Sequence, residues 1–600
     1  MRSILNRPAS GAVPTPPRRT RSAAGAVLVT ATLAGSLVAC SEDDVVTKFA
    51  SAVSARDASH AANLTSDPDS AATALQATFD GMGDARPTVT AGKDGEDRTL
   101  TWSWALPRKH GVRFTTKVAA GGGKVTWRPT LIHPDATADG ARLLYADEKP
   151  YNTPVVDRKN APLMTWQTVT VVNLDPAKAA SAADALATRL AVADPTVTAA
   201  GLRKSVEGKD SPTAVISLRA ADAKKVGRLT GIDGVTVREE GRLLTAAPAL
   251  RSPVVPGLEE RWRKNVDAAA GSSVTVVDRD GKPLRLVDSF PTAQVGPVRT
   301  TLDAGLQRAA NAAVAGEKRA TMLVAIRPST GGILAVAQNA AADRQGPVAL
   351  TGLYAPGSTF KTITTAAALD AKITTPDAQL ACPGRATFGD RTIPNENEFA
   401  LGTVPLHTAF AKSCNTTMAG LGTKLGDTAL TDTAKRFGLG VDFTVPGITT
   451  VTGSVPAART SAERVEESIG QGRVTASPFG LAVVEASLAA RTTIRPALFD
   501  GEPAPANAQP QPIDAGIADA LRTAMRETVT SGTATALRDI EGLGGKTGTA
   551  EFGDNTHAHG WFAGIVGDLA FATLVVSGES SGPAVAVSGA FLRGAGGDLP

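Results

Sequence analysis

Tyr354-Ala355-Pro356-Gly357-Ser358-Thr359-Phe360-Lys361 is the stretch on which the reading of this chain turns. Pro356-Gly357 breaks the chain, and residues 359–370 form a good helical run, so Ser358 is expected at a helix N-terminus. Backbone N–H groups and the helix dipole there favour developing negative charge. Lys361 follows three residues later and shares the face of Ser358 within one turn. A serine hydroxyl is a poor nucleophile until a base removes its proton. Lysine is such a base only when neutral, and its reference pKa is ~10.4. Burial and a second cation both lower it. A Ser-x-x-Lys quartet arises by chance on the order of once in a chain this long, so alone it reads as a solvated helix start.

Two further motifs follow in order. Ser413-Cys414-Asn415 lies inside the apolar helical region 406–422. Ser413 and Asn415 are two apart, so they share one cavity only from a turn between helices. The hydroxyl is a candidate proton relay, and the amide a candidate partner for both Lys361 and a substrate carbonyl. Lys546-Thr547-Gly548-Thr549 reads as a strand whose glycines, Gly544, Gly545 and Gly548, let another backbone approach. A substrate peptide added as a strand suits that reading. Lys546 with the Thr547 or Thr549 hydroxyl is the candidate carboxylate clamp, and the N–H groups of Ser358 and Thr549 are candidate oxyanion donors. The ordered set supplies a nucleophile with its base, a proton shuttle and a clamp, which are the parts of serine acyl transfer.

The order, the spacing and the flanks resemble the transpeptidase domain of class B penicillin-binding proteins. The flanks are Tyr354-Ala355-Pro356-Gly357, Ile469-Gly470-Gln471-Gly472 and His559-Gly560-Trp561-Phe562. The resemblance implies a multidomain α+β protein whose C-terminal penicilloyl-serine transferase fold has helices around an antiparallel sheet. It also implies an acyl-enzyme on Ser358, a D-Ala-D-Ala stem peptide of peptidoglycan as donor, and β-lactams as inhibitors. Ala476-Ser477-Pro478-Phe479 departs from the family's Thr-Pro-Leu-Gln, yet Ser477 as N-cap and Pro478 as first helical residue still start a helix. No cofactor and no metal is called for. His557 and His559 read as a polar turn between strands rather than a metal pair. Competing readings are a D,D-carboxypeptidase or β-lactamase-type hydrolase, and a non-catalytic β-lactam-binding scaffold; the intact set of polar residues argues against the scaffold.

The rest of the chain frames this site. It has 600 residues, 42% of them hydrophobic and 20% charged, which fits globular protein of three or four domains. Residues 1–39 carry Arg2, Arg7, Arg18, Arg19 and Arg21 and no acid, so their removal takes the net charge from +4 to −1. No basic run then argues for nucleic acid. The apolar stretch 23–39 ends in Leu37-Val38-Ala39-Cys40, which resembles a bacterial lipobox. Cys40 is then the lipid attachment site and 1–39 a signal peptide. An uncleaved anchor is the alternative, and either one puts the remainder on the extracytoplasmic face of the membrane.

Residues 40–139 read as helices followed by strands. With Trp102-Ser103-Trp104 and Leu131-Ile132-His133-Pro134, they resemble the cone-shaped nuclear-transport-factor-like domain of methicillin-resistance-type penicillin-binding proteins. That likeness implies low β-lactam affinity. Residues 140–255 read as a pedestal or dimerisation domain, residues 256–600 as the transpeptidase domain, and 503–513 as a short linker. A cell-wall glycosyltransferase is a partner the family implies, although the lipobox replaces the spanning helix usual in it. Cys40, Cys382 and Cys414 exclude an even disulfide framework. Cys414 reads as a packed thiol, with a Cys382–Cys414 disulfide as the alternative.

Overall fold

The computed structural model describes residues 42–553 and 556–600, so Cys40 and the apolar stretch before it lie outside the described residues. No described helix is long and apolar enough to cross a membrane. By internal contacts the chain divides into two units. One runs to Ala146 and adds Ser273–Ser289; the other comprises Asp147–Ser272 and Phe290–Pro600.

In the first unit, helices Glu42–Ser54, Ala58–Asn63 and Pro68–Gly81 accompany an antiparallel sheet of Arg86–Asp94, Asp97–Ala105 and Gly111–Lys117. Trp102 and Trp104, two apart on the middle strand, point to the same face and are fully buried, with ring centroids 6.3 Å apart. The turn at 278–281 closes a hairpin. Asp278 accepts the N–H groups of Asp280 and Lys282, at 3.0 and 2.8 Å, and Gly281 takes φ +83°. The hairpin joins this unit because strand Gly271–Val277 pairs with both Pro283–Phe290 and Arg142–Glu148.

The second unit includes the long strand Pro162–Leu174, flanked by Val235–Thr245 and Thr213–Arg219. The Ala-rich helix Ala179–Leu190 closes a core of Val172, Leu174, Leu186 and Leu218. Its five-stranded antiparallel sheet then runs in the order Ile333–Gln338, Thr321–Ile326, Leu569–Val575, His557–Val566, Gly544–Phe552. The side-chain period of two divides its faces. Met322, Val324 and Ile326 join one core with helix Pro478–Ala490, whereas Leu323 and Ala325 join another with helices Ala304–Ala315 and Gly582–Ala595.

Helix Pro478–Ala490 starts as its sequence predicts, with Ser477 accepting the N–H of Gly480 at 2.9 Å. It is apolar all round and buried from Pro478 to Leu488. Glu485 is the exception inside it. Burial pushes its carboxyl up to about 8, and among the described residues Oε2 has no partner, so it is neutral at pH 7. The stretch 503–513 is not a loose linker. Ala504 is fully buried and Ile513 nearly so, and Ala504 N donates to Pro496 O at 2.8 Å, which ties the Pro-rich segment to the body.

Candidate active site

Ser358 lies in the single turn Gly357–Phe360 that leads directly into helix Lys361–Asp370. Backbone contacts hold this turn from both sides. Gly357 takes φ +51°, its N–H donates to Gly470 O at 3.0 Å, and a Cβ there would meet Thr549 O at 2.5 Å. A Cβ on Gly470, itself at φ +76°, would meet Gly357 O at 2.0 Å. Only glycine serves at these two positions. Trp561 Nε1 donates to Ala355 O at 2.9 Å, and Tyr354 and Ala476 exchange both backbone hydrogen bonds, which fixes the approach to Ser358. Ser358 is partly exposed, while Lys361 is fully buried.

Ser413 occupies the turn that its spacing demands. Helix Leu406–Ala411 ends with Ser413 N donating to Phe410 O and Cys414 N to Ala409 O, and Ser413 takes φ +63°. This is a Schellman motif with serine at the left-handed position where glycine is usual, a costly conformation held by its surroundings. Helix Asn415–Gly422 begins immediately after it.

Cys414, read from the sequence as a packed thiol, is instead disulfide-bonded to Cys382, with Cα atoms 6.2 Å apart. Strand Gln379–Cys382 runs beside the Schellman turn because Leu406 N bonds back to Ala378 O and Leu401 N to Cys382 O. That brings together two cysteines 32 residues apart.

Lys361, Ser413, Asn415 and Lys546 meet in one cluster. Lys361 Nζ contacts Ser413 O at 2.8 Å, Ser413 Oγ at 3.2 Å and Asn415 Oδ1 at 2.6 Å. Lys546 Nζ reaches Ser413 Oγ at 3.0 Å and Thr547 O at 3.0 Å, and lies 5.6 Å from the centroid of the Phe410 ring. Both lysines are fully buried. Burial first, and then the Lys546 cation, hold Lys361 well below the ordinary lysine range. Burial lowers Lys546 to about 7. The Glu396 carboxylate opposes both shifts more weakly.

Asn415 Nδ2 donates to Pro394 O at 2.9 Å, so the amide cannot be flipped and its oxygen must face Lys361. Neutral Lys361 has two N–H groups and one lone pair. Ser413 O and Asn415 Oδ1 only accept, so they take both N–H groups. The lone pair is left for a hydroxyl proton, which is the condition for a base.

The third motif is divided by the fold. Thr547 is buried and its hydroxyl pairs with Thr533 Oγ1 at 2.6 Å, whereas Thr549 is partly exposed beside Gly357. The glycines are not openings for a substrate backbone. A Cβ on Gly545 would strike the Phe562 ring at 2.4 Å, and one on Gly548 would meet Pro356 O at 2.9 Å. Gly544 is backed by Met525 and Arg526. The glycines therefore let the protein pack upon itself, and the open resource is the strand's position at the end of the sheet order.

His557 pairs with Glu579 at 3.1 Å, while His559 accepts the N–H of Ser577 at 3.3 Å and stacks on Phe552. Thr533 and the adjacent pair Pro394–Asn395 complete the site from outside every motif and flank read from the sequence, whereas Gly470 belongs to the Ile469–Gly472 flank and Phe410 to the apolar region 406–422. The roll of a 570 Å³ cavity between helix Ala515–Thr530 and the start of strand Gly544–Phe552 includes none of Ser358, Lys361, Ser413, Asn415 and Lys546.

Residues 321–592 match the family model described as penicillin binding protein transpeptidase domain. The chain is 34% identical to the peptidoglycan D,D-transpeptidase PbpA of Mycolicibacterium smegmatis, over 46% of this chain and 66% of the relative. It is 31% identical to that of Mycobacterium tuberculosis, over 40% and 57%. It thus spans less than two thirds of either curated relative. A crystal structure of Pseudomonas aeruginosa PBP2 superposes with a TM-score of 0.45 at 28% identity, covering 53% of this chain and 83% of that one. The antiparallel sheet, the Ser358 turn and the lysine cluster all lie within residues 321–592, the stretch that matches the penicillin binding protein transpeptidase domain model.

Proposed function

We propose that this chain is a peptidoglycan D,D-transpeptidase that cross-links stem peptides and is acylated by β-lactams at Ser358. The observation that carries the reading is the buried lysine cluster, in which burial and the Lys546 cation depress the pKa of Lys361 and its Nζ meets Ser413 O, Asn415 Oδ1 and Ser413 Oγ. Ser358 Oγ attacks the carbonyl carbon of the penultimate D-Ala, and its proton passes to Lys361 Nζ. The N–H groups of Ser358 and Thr549 hold the oxyanion, and Lys546 with Thr549 holds the terminal carboxylate. The carbon–nitrogen bond to the last D-Ala breaks as the Ser413 hydroxyl relays a proton to the leaving nitrogen. An acceptor amine then attacks the ester, the carbon–Oγ bond breaks, and the proton returns to Ser358. The curated relatives' names support this activity.

The upstream residues fit the same assignment. A lipid-modified Cys40 anchors the mature chain outside the cytoplasm, and residues 40–139 form the resistance-type domain, with low β-lactam affinity as its consequence. Residues 140–255 form the pedestal, and a cell-wall glycosyltransferase is the partner.

In the test, the full chain and its Ser358→Ala variant are incubated with a fluorescent penicillin and followed for hours. Stable label that is absent from the variant is expected, and, in a parallel incubation with a D-Ala-D-Ala peptide, D-Ala release that rises when an acceptor amine is added. Label that forms and decays within minutes would replace transfer by hydrolysis. Gly470→Ala is expected to slow this labelling by about 100-fold, since a Cβ 2.0 Å from Gly357 O must displace the nucleophile's turn. A variant labelled at the wild-type rate would show that the 470 turn does not hold Ser358.

A further inference from the structure

We infer that Asn395, which belongs to none of the three motifs, is a positioning residue for the reaction and acts through Asn415. This rests on the transpeptidase reading. Asn395 is only 2% exposed, and its amide is fully used. Its Oδ1 accepts the N–H groups of Asn415 at 2.8 Å and Thr416 at 3.1 Å. These are the first two donors of helix Asn415–Gly422, whose own N-cap, Cys414, offers no side-chain cap. Its Nδ2 donates to Pro383 O at 2.9 Å and Phe399 O at 2.7 Å, and its backbone N–H to Gly384 O at 2.9 Å.

The neighbouring Pro394 O takes Asn415 Nδ2, so residues 394–395 grip both the backbone and the side chain of Asn415. The grip is what turns Asn415 Oδ1 onto Lys361 Nζ at 2.6 Å. The anchor is rigid for local reasons. Asn397 and Glu398 turn the chain through φ +52° and +55°, bringing Phe399 O back to Asn395. The Cys382–Cys414 disulfide staples the same strap to the residue between Ser413 and Asn415. Loss of the Asn395 amide frees the helix start and lets the Asn415 side chain leave the lysine.

The test is a double-mutant cycle on the full chain, using acylation by a fluorescent penicillin as the readout beside the thermal midpoint. Asn395→Ala is expected to lower the acylation rate constant by about 100-fold, mainly in the limiting rate rather than in probe binding. In an Asn415→Ala background the same change is expected to add less than about 3-fold, while its loss of thermal midpoint persists in full. A merely structural residue would add in both readouts. If Asn395→Ala does not fold, Asn395→Ser takes its place in the cycle. Acylation of Asn395→Ala within about 3-fold of wild type, or full additivity with Asn415→Ala in rate, would overturn the inference and leave the transpeptidase reading intact. A wild-type chain that takes no label would overturn both.

Discussion

Lys361→Met is expected to reduce acylation of Ser358 by about 10²–10⁴-fold, the usual yield of a positioned general base. The expectation follows from the cluster. Lys361 is fully buried, burial and the Lys546 cation push its pKa well down, and its two N–H groups are taken by Ser413 O and Asn415 Oδ1. Both effects favour the neutral amine that a base requires, and wild-type acylation is expected to fall as pH drops through that lowered value. Methionine fills a similar volume, but its thioether sulfur is far too weak a base to take a hydroxyl proton, so the variant loses this acid limb along with the rate. Acylation kinetics across pH 5 to 10 check both statements. A variant that keeps the rate within tenfold, or keeps the limb, would move the base to another group.

Lys546→Met is expected to cost about 100-fold in β-lactam acylation, the worth of a charge-assisted clamp on a carboxylate at roughly 3 kcal/mol. It should also change how stability depends on pH. In the unfolded chain a lysine keeps its proton up to ~10.4. In the fold, burial makes Lys546 release its proton at about 7. Between these values the unfolded state binds one proton more, so wild-type stability rises with pH. Below about 7 both states bind it, and the cost of burying the cation is present in full.

The stability of wild type relative to Lys546→Met should therefore climb by up to ~1.4 kcal/mol per pH unit through this window, about 5 kcal/mol in all. Losing the Lys546 cation also removes a repulsion on Lys361, so the acid limb of acylation moves to higher pH. Denaturant midpoints of both proteins from pH 6 to 10 measure the first effect. A stability difference that stays flat with pH would mean that Lys546 is not held as a buried, readily deprotonated amine.

The three motifs were legible because each is a local device. A broken chain before Ser358, a three-residue step to Lys361 and a two-residue step between Ser413 and Asn415 all constrain backbone conformation within one turn. The structure has that geometry, down to the left-handed Ser413. Ser477 before Pro478 is readable for the same reason, since a cap bonds to N–H groups two or three residues away. Readings failed where a residue's partner is distant. The glycines of the third motif were matched to a substrate backbone, but they accommodate Pro356 O and the Phe562 ring. Cys414 reads as a packed thiol, with the Cys382–Cys414 disulfide only as the alternative, because nothing local brings Cys382 to it.

The sequence by itself determined the chemistry on offer: a serine at a helix start, a lysine one turn on, a hydroxyl and amide on a turn, and a lysine on a strand. Short-range sterics and hydrogen bonding decide those placements. Only the tertiary structure decided which groups meet and in what state. Lys546 reaches Ser413 across 133 residues and Lys361 reaches it across 52, and full burial of both amines lowers both pKa values. Desolvation depends on what is packed around a group, and that is a property of the whole fold rather than of neighbours in the chain.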